Sequence, residues 1–257
     1  MISIRNTENL TGVTVRGDFE DLYNLVEAFH EITIDEDAKK YREYIGISTR
    51  LLGTCYDIRH AYMGDREIVL VDNNLSEEAM KWHETIAPKQ NVHYQCNLLY
   101  PEMIFAMIAI NELINVRIKI ITKKKFLLAN EYIHKNVIWD QTITILRDFQ
   151  RAFSQCVRET IPPNSYSRWL GLVTDQYAHL YSITGQYIDL INIWYINMTK
   201  EKRLKNFMVM TKRIGDFESD KDHYEIERVV ALAAKEYACA ESDIEIKGID
   251  YPEDIEW

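Results

Sequence analysis

Residues 103–110 read Met-Ile-Phe-Ala-Met-Ile-Ala-Ile, the longest apolar run in the chain, with Pro101 just ahead of it. Proline suits the first turn of a helix. Eight residues are too few to cross a bilayer, and Asn111, Glu112, Asn115, Arg117 and Lys119 follow. The pattern predicts a helix over 101–122 whose first half is apolar on nearly every side. Such a helix must be covered all round, so the rest of the chain has to wrap it. Only 9 Gly and 5 Pro interrupt 257 residues. Few breakers favour long helices over a β-sandwich or a glycine-rich nucleotide fold.

Alternation at Ile2–Arg5 and Val13–Arg16, around a polar turn, predicts a β-hairpin. Asp18 is a good N-cap for an amphipathic helix over 19–32. A second helix is expected from Asp35 through Tyr62, ended by Gly64-Asp65. Residues 66–72 and 92–99 alternate as strands, and Ser76 caps a short helix between them. Helical spacing runs through 130–160. Pro162-Pro163-Asn164-Ser165 punctuates it, and Ser165 can cap the long stripe that follows, 166–198, which carries Tyr187, Trp194 and Tyr195. Helices at about 200–215 and 222–237 come next, and Asp243–Lys247 is expected as a last strand joining the N-terminal sheet. The expected fold is α+β: an N-terminal antiparallel sheet of four to five strands with helices, then a helix-rich half. We expect one unit over 1–257, with a sheet-containing half (1–100), a helical half (101–237) and a C-terminal strand and acidic tail (238–257).

The formal charge of −10 is concentrated. Residues 216–257 hold 14 Asp/Glu against 4 Lys/Arg, and the rest of the chain is neutral. That opposes non-specific binding to nucleic acid or anionic lipid. It suits either a solvated polar end or a docking surface for a basic partner. Cys55, Cys96, Cys156 and Cys239 form no C-x-x-C pair, so reduced thiols are expected rather than a disulfide framework or zinc ribbon. The opening Met1–Asn6 lacks the pattern of a secretory signal. The cytoplasm is the expected compartment, and no membrane partner is expected.

The densest polar stretch is Cys55–Glu67. On a helix, Cys55 points to the apolar face and His60 lies about 140° away, so the two cannot form a nucleophile–base pair. Arg59 sits at the edge of the apolar stripe and must find a carboxylate or carbonyls, with Asp65, Glu67 and Asp72 as candidates. It either pins the helix to the sheet or faces a cleft. Asp57, Arg59, His60, Asp65, Arg66 and Glu67 are therefore the candidate polar site. His83-Glu84 lacks the second histidine of a zinc-protease helix. Asp175 and His179, four apart, could hold a metal or orient a base, or be a solvated pair. No phosphate-loop or nucleophile-elbow motif occurs, and no cofactor or metal is expected. The basic stretch 199–213 could contact phosphates, or pair in cis with the acids just downstream, which makes nucleic acid the weaker partner.

Ile4–Val13, then Tyr56-Asp57-Ile58-Arg59-His60-Ala61 with Gly64-Asp65-Arg66-Glu67, then Tyr251-Pro252-Glu253-Asp254-Ile255, together resemble an uncharacterised bacterial family, a domain of unknown function, over nearly the whole chain. That resemblance implies one family-wide unit and no activity. The leading expectation is a cytoplasmic accessory or protein-interaction protein without catalysis, with a protein partner or self-association through surplus aromatic surface. The alternatives are a small-anion binder or enzyme around Arg59 and His60, and nucleic-acid binding through 199–213.

Overall fold

The computed structural model describes every residue except 85, 175–180 and 249. The chain opens with β1 (Ser3–Asn6) and β2 (Gly12–Gly17), followed by α1 (Phe19–Ile32) and α2 (Ile45–His60). Then come β3 (Glu67–Asp72), α3 (Glu77–Trp82) and β4 (Gln90–Leu99). The four strands form one antiparallel sheet in the order β1-β2-β4-β3. The helical half runs α4 (Tyr100–Thr122), α5 (Ala129–Tyr132), α6 (Lys135–Ile138), α7 (Gln141–Thr160), α8 (Pro163–Thr174), α9 (Thr184–Ile196), α10 (Lys200–Gly215) and α11 (Lys221–Tyr237). This is the α+β layout the periodicities predict.

Every residue from Met103 to Ile110 is buried. Around α4 lie α1, α2 and α5–α10, with β2 and β4 at its start. A helix whose first half has no polar face has thus become the axis on which both halves of the chain pack. Each fully buried Ile, Phe or Met there contributes on the order of 1.5–3 kcal/mol. Among the described residues no helix is long and apolar enough to cross a membrane.

Several local expectations are corrected. Residues 35–62 are not one helix. Tyr41 takes a left-handed φ of 61°, a single turn covers Arg42–Tyr44, and α2 begins at Ile45. The preceding loop is instead tied back, since the Ile34 N–H donates to Ser48 Oγ at 3.0 Å. After His60 the helix widens into a π-turn over Ala61–Asp65 and stops at Gly64, whose φ of 89° suits glycine. The stripe 166–198 is divided between α8 and α9, and the second helix starts where Thr184 turns back onto the Tyr181 carbonyl. Pro163, not Ser165, begins α8.

Residues 244–246 form no strand. Gln186 takes their backbone instead, donating to the Ile244 carbonyl at 2.8 Å and accepting from the Ile246 N–H at 2.7 Å. The edge a strand could have joined at β1 is flanked by α7. The chain then runs to the β1–β2 turn, where the Trp257 backbone oxygen accepts from the Asn9 N–H at 3.2 Å.

Candidate functional site

β3 pairs with Gln90–Gln95 and stops, while β4 continues to Leu99. Where β3 leaves off, a cleft of about 680 Å³ opens. One wall is the α2 face carrying Thr49, Arg50, Gly53, Thr54 and Asp57, residues spaced by whole helical turns. The other wall is β4 from Gln95 to Leu99, with Arg66 and Glu67 at one end and Glu102, Ile255 and Trp257 at the other.

The backbone of β4 matters here. Tyr100 N–H donates to the Thr11 carbonyl at 3.2 Å, which fixes the even-numbered residues of β4 as those bonded to β2. Partners alternate along a ladder, so Asn97 and Leu99 turn their N–H groups the other way. That is the side β3 has vacated and the side on which the cleft lies. An unpaired strand edge recruits another chain or a ligand that can supply carbonyls.

The charged side chains of the walls are each partnered, though not all by an opposite charge. Arg66 Nη2 donates to Asp57 Oδ1 at 2.8 Å, and this hydrogen bond holds the guanidinium pKa above its ordinary value. Gln95 Nε2 donates to Glu67 at 2.7 Å. Deeper in, Arg50 binds Glu102 through Nε at 3.2 Å and through Nη2. It also donates to Asp189 at 2.9 Å and to the Gly185 carbonyl at 2.8 Å. Burial alone would lower the Arg50 pKa, yet Glu102 and Asp189 together raise it. Asn192 donates to Glu102 at 2.6 Å, and Tyr251 OH to Asp189 at 2.8 Å. This knot joins α2, α4, α9 and the C-terminal segment, and fixes the cleft's inner end. Across the lining, Asp57, Glu67 and Glu102 outnumber Arg50 and Arg66 by one charge.

The structure divides the six candidate residues. Asp57, Arg66 and Glu67 line the cleft. His60 and Asp65 do not; they pair with each other at 2.7 Å across the π-turn, and the His60 ring packs tilted against Tyr56 with ring centres 4.1 Å apart. Arg59 meets none of the carboxylates expected for it. Its guanidinium lies over the Tyr56 ring at 5.4 Å, and its buried Nε has no hydrogen-bond partner among the described residues. The link from α2 to the sheet end is made by Arg66 and Asp57 instead.

Cys55 is turned inward, as the helix requires. Its nearest imidazole is His30, at 3.9 Å, rather than His60. Burial pushes the Cys55 thiol up to about 12, and the Cys96 thiol likewise to about 12. Burial thus opposes the thiolate, the form a nucleophile needs, at both positions. Asp175 and His179 lie outside the described residues. In the basic stretch 199–213, Arg203 is buried and donates to the carbonyls of Tyr195, Ile196 and Asn9. Arg213 pairs in cis with Asp220 at 2.8 Å and Asp222 at 2.5 Å. Neither is available to a phosphate backbone.

Sequence reasoning missed Arg50, Glu102 and Asp189. They stand 52 and 139 residues apart from Arg50 along the chain, and each alone reads as an ordinary helical charge. A usable signal was Glu102, a carboxylate at the start of a helix whose first half is otherwise buried on every side.

Comparison with curated proteins and with solved structures found no match. A family model matches residues 2–257, and the chain belongs to that family, described as a domain of unknown function, DUF6904.

Proposed function

We propose that the protein is a binding protein whose cleft takes a short, extended, basic peptide segment as an added strand along β4, in line with β3. The observation that carries this reading is the edge of β4 beyond Gln95, where β3 no longer pairs and the outward N–H groups face the cleft. The one-charge excess of carboxylate in the lining, and the chain's net −10, favour a Lys- or Arg-containing segment over an acidic one. Leu98, Leu99, Ile255 and Trp257 give the segment apolar contact. This is the interaction-protein expectation with a place and a chemistry attached. The anion-site alternative loses support because Arg59 and His60 stand outside the cleft and both cleft arginines already hold carboxylates. Four unbonded thiols, three of them buried, favour a reducing compartment such as the cytoplasm.

Gly53 supplies the test. It sits mid-helix on the cleft wall, and a Cβ built there meets nothing within 4 Å. Gly53→Leu should fill the cleft mouth and raise stability, since glycine inside a helix costs about 1 kcal/mol. Pools of basic, neutral and acidic tetrapeptides are titrated into both proteins, with melting temperature and tryptophan fluorescence as readouts. The basic pool should raise the melting temperature of the parent and leave Gly53→Leu unmoved. Binding by no pool, or equal binding by the variant, overturns the proposal.

A further inference from the structure

The face of the sheet that carries Val13, Val15, Cys96 and Leu98 is the face the helices cover. Cross-strand partners share a face, and the register pairs Ile68 with Tyr94 and Leu70 with Val92. These four residues continue the same apolar face outward. There the helical layer has ended. Ile68 is 53% exposed and Leu70 is 59% exposed. Exposed Phe19, which lines a shallow pocket with Val92 and Tyr94, stacks on exposed Tyr23, and both meet Tyr62 edge-on.

β3 is also an edge of the sheet. Asn73 N–H donates to the Lys89 carbonyl at 2.9 Å, in line with the β3–β4 register. The odd-numbered residues of β3 therefore bond β4. By alternation Ile68, Leu70 and Asp72 turn their N–H and carbonyl groups outward. Between Glu67 and Asp72 the strand reads Ile-Val-Leu-Val, with no proline, no lysine and no charge. Native proteins usually blunt such an edge.

We propose that this edge is a self-association surface: two copies of the chain pair β3 with β3 in antiparallel fashion about a two-fold axis through Val69, making one eight-stranded sheet. The occupant follows from self-complementarity. A two-fold normal to the sheet keeps each face on its own side, and outward-bonding residues must meet outward-bonding residues. The centre at Val69 sets Ile68 against Leu70 of the second copy, twice, and brings Asp72 opposite Arg66, twice, as a second carboxylate beside the Asp57 that Arg66 Nη2 holds within its own chain. The neighbouring register, centred on Leu70, would set Ile68 against Asp72 and strand a carboxylate on an apolar side chain. Opposite charges across a ladder stabilise, and like charges destabilise. The paired sheet would also gather Ile68, Leu70 and Val92 of both copies into one covered patch. A six-residue edge with this patch falls at the small end of specific interfaces, so the dimer is expected to be reversible, in about the micromolar range.

The test is the oligomeric state of the full chain by sedimentation velocity from about 1 to 300 µM, with circular dichroism as the check on folding. The parent should shift from monomer to dimer across that range. Leu70→Lys, at an exposed position, should abolish the dimer. Asp72→Arg should raise the dissociation constant at least about tenfold by facing Arg66 with a cation, and the double variant Arg66→Asp/Asp72→Arg should recover most of the loss. In a Cys239→Ser background, Val69→Cys should cross-link to itself under mild oxidation. Residues opposed in a non-hydrogen-bonded pair are about 4.5 Å apart at Cα, within disulfide reach, and Leu70→Cys is not so placed. A monomer throughout, a dimer untouched by Leu70→Lys, or cross-linking through Leu70→Cys in preference to Val69→Cys would overturn the proposal.

Discussion

Arg66 reaches back from the start of β3 to Asp57 on α2, Nη2 to Oδ1 at 2.8 Å, and the pair spans the mouth of the cleft. Both side chains are around 40% exposed. A pair in that setting is worth about 0–1 kcal/mol, because water screens it and both chains lose freedom in making it. Arg66→Ala and Asp57→Ala should therefore leave the urea midpoint nearly unchanged. Their effects on binding should be opposite in sign. Removing Asp57 takes away one carboxylate facing a basic ligand and should weaken binding, whereas removing Arg66 frees that carboxylate and should strengthen it, each by several-fold. Peptide titration of the two variants, side by side, checks this. Weakening by both would show that the intact pair, and not the charge it leaves over, meets the ligand.

The cysteines give a second expectation. Cys239 is exposed, while Cys55, Cys96 and Cys156 are buried. Burial raises the pKa of each of those three thiols. Alkylation follows the thiolate and its access. Mass spectrometry after brief iodoacetamide treatment of native protein should find one modified cysteine, Cys239, and all four after unfolding in guanidinium. Rapid native labelling of Cys55 would mean that this thiol, 2% exposed beside His30, has an access the structure denies it, and would return a thiol chemistry to consideration.

How far the sequence reveals this molecule depends on the range of the interaction. The α4 helix, the Asp18 cap, the β1–β2 hairpin and the halt at Gly64 are local matters of period and backbone preference, and they could be read directly. Helix ends were harder. Residues 35–44 carry a helical spacing of apolar groups, yet the Ser48 hydroxyl draws the Ile34 backbone aside and Tyr41 leaves the helical region. The cleft lay almost beyond reading. Three of the six candidate residues line it because they flank the π-turn that ends α2. Its inner end depends on Arg50 meeting Glu102 and Asp189, a convergence created by α4 and α9 packing against α2. Arg59 was misjudged because the helix edge offers it the ring of Tyr56, three residues back, in place of a carboxylate.

Arg203 should be among the costliest residues to remove. It is 3% exposed, and among the described residues no carboxylate forms an ion pair with it, Glu256 acting only from a distance. Its guanidinium donates to Tyr195 and Ile196 carbonyls at the end of α9, where the helix dipole favours a cation, and to the Asn9 carbonyl in the β1–β2 turn at 2.9 Å. It thereby joins the helical half to the sheet. Arg203→Ala leaves three carbonyls short of a donor and should cost about 3–5 kcal/mol. Arg203→Lys keeps the charge without the fork and should recover only part. Urea denaturation of the two variants decides. A loss below about 1 kcal/mol for the alanine variant would mean that the β1–β2 turn is held by the chain end at Trp257 instead.

His223 gives the pH dependence its sign. It is buried on α11, with the rings of Tyr181, Tyr187 and Phe217 centred 5.0–5.1 Å away. Burial lowers its pKa, against the smaller opposing pull of Glu227, Asp220 and Glu218. The folded state thus takes up the proton less readily than the unfolded chain, whose histidine titrates near 6.5. Its stabilising contribution is complete above that value and is lost as pH falls through it toward the lower folded-state pKa. The melting temperature should accordingly decline between about pH 7 and pH 5, before most carboxylates titrate. His223→Phe keeps the ring packing and removes the titration, so its melting temperature should fall less steeply over the same interval. Parallel slopes for the two proteins would assign the acid sensitivity to another group.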